Sequence, residues 1–172
     1  TLIYAQEPVE TAKKECVSGD CINGKGTAKF SNGDYYEGDF KNNKMNGQGT
    51  MKFKNLGTYT GAFSNDKASG KGKISFVNGD VYEGDFIEGN FNGEGKYSYK
   101  NGEIYTGNWV NDKKEGTGTY KFLNGHTHIG QFSADRANGK GKRYNDKGIL
   151  VKEGIWKDNL LGDKMNLVFI IN

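Results

Sequence analysis

The sequence predicts an all-β chain, a single-layer antiparallel sheet of about six stacked 23-residue β-hairpin repeats. Two observations carry that prediction. Gly24, Gly47, Gly70, Gly93, Gly116, Gly139 and Gly162 stand 23 residues apart without a slip, and in six of these seven units a second glycine follows two places later: Gly26, Gly49, Gly72, Gly95, Gly118 and Gly141. Aromatic residues recur at fixed even positions of the unit, with Lys, Thr, Ser, Glu and Asp between them, the period-two alternation of a half-buried strand. Self-similarity at a fixed period over most of a chain marks a repeat architecture.

Composition agrees. The 172 residues include 27 glycines but one proline, Pro8, which precedes the first repeat, so the glycines do not belong to a Pro/Gly-rich disordered segment. Aromatics reach 13%, too many for a disordered chain of this polarity. Hydrophobic residues make up only 34% and the mean hydropathy is −0.81, which suits a thin sheet with one aromatic face better than a thick two-layered core. The charge of +3, from 24 basic and 21 acidic residues, is a weak bias and does not argue for nucleic acid. The longest apolar run, residues 167–171, is too short to cross a bilayer as a helix and reads as an end strand.

The unit is counted from zero at its first glycine. Its first strand covers positions 0–6 and ends on Phe30, Phe53, Phe76, Tyr99 or Phe122. Asn-Gly follows at positions 8 and 9, as in Asn32-Gly33, Asn78-Gly79, Asn101-Gly102 and Asn124-Gly125. A two-residue turn there would throw the rings at 6 and 12 onto opposite faces. A three-residue loop at 7–9, a type I turn with glycine in the left-handed position, pairs 6 with 10 and 4 with 12 and keeps every even position on one side. The second strand, positions 10–16, carries Tyr36, Tyr59, Tyr82, Tyr105 or His128 at 12, glycine at 14, and Phe40, Phe63, Phe86, Trp109 or Phe132 at 16. The remaining positions, 17–22, are expected to form a six-residue connection. In this register the glycines at 2 and 14 stand opposite each other, and the rings at 6, 12 and 16 are expected to lie across them, since glycine inside a strand marks close approach.

Six units over residues 24–161 give about twelve strands, or about 60 Å of sheet. The second turn is irregular, with Leu56 in the expected glycine place before Gly57. The sixth unit is degraded: Asn145 replaces the aromatic, and Gly154 and Trp156 arrive one place late. Residues 16–172 read as the array with its end caps, residues 165–171 as a capping strand, and residues 1–15 as a loose N-terminal segment. The opening Thr1-Leu2-Ile3-Tyr4-Ala5-Gln6 reads either as the remnant of a secretory signal peptide or as an ordinary chain edge. Cys16 and Cys21, five apart, read as a disulfide-closed loop rather than a metal or redox motif, which tips the expectation toward export to periplasm, cell envelope or medium. The cytoplasmic face of a membrane is the alternative location.

The run Tyr-Glu-Gly-Asp-Phe, six residues, then Gly-x-Gly, at Tyr36 to Gly49 and again at Tyr82 to Gly95, resembles the MORN repeat. The resemblance covers residues 24 to about 162. It implies β-hairpins stacked into an elongated, twisted and curved single-layer sheet of a bacterial, secreted or envelope protein. It also implies scaffolding, self-association and partner binding, with contested roles in membrane attachment. His128 in place of tyrosine and the shifted Gly154 and Trp156 depart from the pattern.

The expected function is that of a non-catalytic scaffold binding a protein or peptide partner, or a second copy of itself, through the aromatic face: Tyr36, Phe40, Tyr59, Phe63, Tyr82, Phe86, Tyr105, Trp109, Phe132 and Trp156. Most of these rings are expected to pack on one another and on the glycines, leaving a residual apolar stripe for docking. The alternative is a membrane-surface adaptor whose Arg136, Lys140, Lys142, Arg143 and Lys147 meet anionic lipid head groups, weighed against a solvated face neutralised by Asp66, Asp112 and Asp135. His126 and His128, two apart, lack further ligands and read as a substitution within the repeat, not a metal site. Glu37 and Glu83 recur as surface charge rather than as a glycosidase pair. Gly24-Lys25-Gly26 precedes no helix, so no phosphate cradle forms. No cofactor is called for.

Overall fold

The computed structural model describes residues 12–161, and among them there are strands and turns but no helix. The strands are β1 (Lys14–Gly19), β2 (Lys25–Phe30), β3 (Tyr35–Lys41), β4 (Lys44–Phe53), β5 (Gly57–Ser64), β6 (Lys67–Phe76), β7 (Val81–Ile87), β8 (Asn90–Ser98), β9 (Ile104–Val110), β10 (Lys113–Lys121), β11 (Thr127–Ser133), β12 (Arg136–Tyr144), β13 (Leu150–Lys157) and β14 (Leu160–Leu161). They follow one another through one sheet in chain order. Strands β2 to β13 are the twelve expected of six repeats. Strand β1 begins at Lys14, two residues inside the segment expected to be loose. The expected capping strand at 165–171 lies outside the described residues.

The first hairpin of each repeat has the predicted register. Gly26 stands opposite Gly38 and Ala28 opposite Tyr36. The Phe30 N–H donates to the Asp34 carbonyl at 3.0 Å, and the Gly33 N–H returns to the Phe30 carbonyl at 2.9 Å, with Gly33 at φ 93°. This is the three-residue loop with left-handed glycine. It recurs where Tyr99 meets Glu103, Phe122 meets His126 and Asn145 meets Ile149. The irregular turn at Leu56 does not disturb it, since Gly49 still faces Gly61.

The second connection differs from the six-residue loop expected. Strands β3 and β4 are joined by two residues, Asn42 and Asn43, both at positive φ (50° and 61°). Equivalent pairs are Asn65-Asp66, Glu88-Gly89, Asn111-Asp112, Ala134-Asp135 and Asp158-Asn159, each with two positive φ values. Two left-handed residues in sequence make the type I′ turn, whose twist matches that of the strands it joins. Strand pairing therefore resumes at once, with Phe40 opposite Met45, and a bulge between Gly38 and Phe40 restores the glycine register. Asp39 holds this bulge by accepting the Gln48 N–H at 2.9 Å; Asp85 and Gln131 do the same for Glu94 and Lys140. The bulge moves an odd position, 21, onto the aromatic side. Met45, Phe91 and Ala137 are buried there, a set that strict even-position parity does not include.

The chain divides into two compact units, one running to Gly79 with Phe86–Gly89, the other comprising Asp80–Asp85 and the residues from Asn90 on. In the first, Tyr36 and Tyr59 alternate edge-to-face with Phe40, Phe63 and Phe86 at centroid distances of 4.9–5.1 Å. Such contacts add about 0.5–1.5 kcal/mol each beyond burial. Its N-terminal end is closed by Cys21, bonded to Cys16, whose sulfur lies 2.9 Å from where a Cβ on Gly26 would stand. The disulfide loop thus covers the position-2 glycine of the first repeat, which no ring from a preceding repeat covers. In the second unit, Tyr82 stacks on Phe91 at 3.6 Å, and Tyr105 packs edge-on against Trp109 and Phe132. The late Gly154 and Trp156 are reconciled by a bulge. Arg143 pairs with Lys152 but Tyr144 with Leu150, so Val151 is the extra residue and Gly154 still faces Gly141.

The glycine pairs are closed to any side chain. A Cβ on Gly84 would stand 2.6 Å from the Glu94 carbonyl oxygen, the Gly95 Cα and the Tyr82 hydroxyl, whereas Thr60 is exposed. Gly84→Val is expected to cost about 3 kcal/mol or more and Thr60→Val within about 0.5 kcal/mol. Thermal unfolding of both variants checks this, and equal melting temperatures contradict it.

Candidate functional site

The aromatic side is built from one repeated station. The tyrosine at position 12 lies over the glycine at position 2 of the following repeat. Tyr82 ring atoms come within 2.6 Å of a Cβ placed on Gly95, and Tyr105 makes the same approach to Gly118. The ring also reaches back to the main chain. The Tyr36, Tyr59, Tyr82 and Tyr105 hydroxyls donate to the carbonyls of Asp39, Ala62, Asp85 and Asn108 at 2.8–3.1 Å. Burial pushes all four phenol pKa values up, Tyr59 to about 12.

The residual stripe expected among the ten rings is not left by this geometry. All ten rings expected to meet a partner, Tyr36, Phe40, Tyr59, Phe63, Tyr82, Phe86, Tyr105, Trp109, Phe132 and Trp156, are 0–6% exposed. Flat tyrosines over glycines let neighbouring rings close edge-to-face, so one layer covers its own core. An accessible outer row stands outside those ten, at positions 4 and 6 of the second unit. Tyr99, Tyr120 and Phe122 are half-buried, with successive centroids 6.0 and 4.8 Å apart. The Tyr120 hydroxyl donates to Glu103 at 2.9 Å, and Lys114 donates to the Tyr99 hydroxyl at 3.1 Å from among the rings of Tyr99, Tyr105 and Tyr120. The first unit has Ala28, Met51 and Ile74 at position 4. The excess of rings at 4 was the available signal.

The five basic residues do not form one patch. Arg136 pairs with Asp158 at 3.1 Å, and Lys142 with Glu153 at 3.2 Å. Arg143 lies on the aromatic side, 4.7 Å from the Phe122 centroid and 4.5 Å from that of Trp156. Strand alternation puts Lys140 and Lys142 on the reverse side, and Lys147 sits in the β12–β13 turn. On that reverse side, each unit has a shallow groove floored by glycine pairs. One, of about 570 Å³, is walled by Thr27, Thr50 and Thr60; the other, of about 410 Å³, by Thr106, Thr117 and Thr119.

His128 takes a tyrosine station and is 1% exposed, edge-on to Phe132 and Trp156. Neither ring nitrogen has a hydrogen-bond partner. Among the described residues no three His, Cys, Asp or Glu side chains come together as a metal-binding group. Burial, and then the charge of Arg143, pushes the His128 pKa down to about 4. The unfolded chain, with an ordinary value near 6.5, therefore takes up the proton first. The contribution of His128 is complete above pH 6.5 and is lost as pH falls toward 4, by about 2–3 kcal/mol. Urea unfolding at pH 7.5 and 4.5 should show the wild type losing more stability than His128→Tyr. An identical loss in both contradicts the assignment.

A family model described as the MORN repeat matches residues 22–35, 36–58, 59–81, 82–104, 105–127 and 128–149. No curated protein sequence matches the chain. Among solved structures, the chain is similar to the SAS-4 (dCPAP) TCP domain of Drosophila melanogaster, solved in complex with a proline-rich motif of Ana2 (dSTIL). The TM-score is 0.52 at 14% identity, over 83% of this chain and 77% of that one. A second similarity, to the TCP10 domain of Danio rerio CPAP in complex with a peptide of Danio rerio STIL, has a TM-score of 0.41 at 10% identity, over 86% of this chain and 71% of that one.

Proposed function

The chain belongs to the MORN-repeat family, and we propose that it is a non-catalytic scaffold that binds a peptide segment of a protein partner on the aromatic side of its sheet. The half-buried row of Tyr99, Tyr120 and Phe122 carries this reading. Rigid aromatic side chains with one polar end offer contact area at little entropic cost and dominate binding hot spots. Glu103 and Lys114 fix the two phenols before any partner arrives. Strand β10 is already paired on both sides, so a partner meets side chains and does not add as a strand. The TCP domain that shares this fold was solved with a proline-rich motif, and extended proline-rich segments dock on rows of aromatic rings. That supports an extended peptide as the occupant; a second copy of the chain competes for the same row.

Glu37 and Glu83 are exposed and recur with the repeat, which supports surface charge over catalysis. The bonded Cys16–Cys21 pair supports an exported protein in an oxidising compartment. Binding to an array of proline-rich peptides tests the docking role. Tyr99→Ala and Tyr120→Ala should each weaken binding about tenfold with the circular dichroism spectrum kept, while Thr60→Ala leaves it unchanged. Undiminished binding in both tyrosine variants rejects the row as the site.

A further inference from the structure

The last strands of the second unit depart from the repeat in one direction. Positions 4 and 12 face each other across strands on the aromatic side. Along the row they read Tyr97, Tyr105 and Tyr120 from β8 to β10. From β11 to β13 the same in-register row reads His128, Arg143 and Lys152. Two permanent cations and an imidazole thus replace tyrosines in neighbouring strands. Like charges directly opposite each other on one face are destabilising, so packing does not explain the exchange.

Among the described residues no carboxylate compensates within the row. Glu153, beside Lys152, points to the reverse side and pairs with Lys142. Arg136 and Asp158 pair with each other, and Asp146 lies against Gly125 in the neighbouring turn. Arg143 sits between the rings of Phe122 and Trp156 with its Nε buried and without a hydrogen-bond partner. Buried donors in native structures are almost always satisfied. The Lys152 side chain beside it is exposed. The row also continues the docking ridge, because Tyr120 belongs to both and Arg143 packs on Phe122.

We infer that Arg143 and Lys152 form an anion-recognition site for an acidic side chain of the peptide partner, with Phe122 and Trp156 as its walls. The inference rests on the docking role proposed above and adds the charge of what docks. A guanidinium packed against two rings presents its remaining N–H groups in a planar fork that suits a carboxylate. A membrane is disfavoured as the source of the anion, since lipid attraction needs clusters of basic residues on one side and Lys140 and Lys142 face away.

The test uses the full 172-residue chain and two pools of short proline-rich peptides, identical except for one fixed central residue, glutamate or glutamine. The wild type should bind the glutamate pool about tenfold more tightly. Lys152→Gln, a change at an exposed residue, and Arg143→Gln should each bring that preference close to parity while binding of the glutamine pool persists. Equal binding of the two pools by the wild type, or an undiminished preference in both variants, overturns the site while leaving the docking role intact. Binding to neither pool overturns the docking role and the site with it. Displacement of the glutamate pool by phosphatidylserine vesicles, but not by phosphatidylcholine vesicles, would reassign the cations to lipid.

Discussion

The structure depends on a tyrosine laid flat over a glycine. A pleated sheet ordinarily lifts side chains away from its surface, and a single layer then leaves its apolar face in water. Here the rings of Tyr36, Tyr59, Tyr82 and Tyr105 lie down because the residue beneath each has no Cβ. The hydroxyl reaches a main-chain carbonyl at the far end, so the ring is buried without stranding its polar atom. Glycine opposite glycine fixes the register of each hairpin, since a one-residue slip would drive a side chain into the ring. The two ends follow the same rule with other atoms: the Cys21 sulfur covers Gly26, and His128 with Trp156 covers Gly141.

Covering the core from within one layer changes what the aromatic side can do. The rings that define the repeat are spent on packing, and the docking proposed above falls to residues the repeat does not need. These are concentrated in the second unit, where position 4 carries Tyr120, then Arg143, in place of the Ala28, Met51 and Ile74 of the first. The repeat supplies a register-locked floor, and the departures from it supply the side chains on which the proposed docking rests. His128 belongs to the same departure. It keeps the shape of the tyrosine station but loses the hydrogen bond to the carbonyl, leaving a buried base beside the half-buried Arg143.

Most of the sheet was legible in the residues because two independent periodicities agree. The 23-residue glycine spacing gave the repeat, and the parity of rings at 6, 12 and 16 selected the three-residue loop over the more familiar two-residue reading of Asn-Gly. The second turn was hidden because type I′ geometry is carried by Asn42-Asn43 or Ala134-Asp135, pairs without the glycine that usually announces it. Missing that turn also hid its bulge, and with it Met45 and Phe91 as core residues. The candidate site was less legible, because ring identity does not reveal exposure. The same alternation that placed ten rings on one side could not tell that tyrosines lying on glycines would close over their neighbours, leaving Tyr99, Tyr120 and Phe122 as the accessible edge.

A thermodynamic double-mutant cycle at Tyr82 and Gly95 tests the central claim most directly. Gly95→Ala alone should destabilise strongly, because the new Cβ would meet Tyr82 ring atoms, Cζ at 2.6 Å. Once Tyr82→Ala has removed the ring, the same glycine substitution should cost far less, giving a coupling of about 1–3 kcal/mol between the two positions. Strictly additive losses would mean that the glycine serves the backbone alone and that the ring over it does not hold the repeat together.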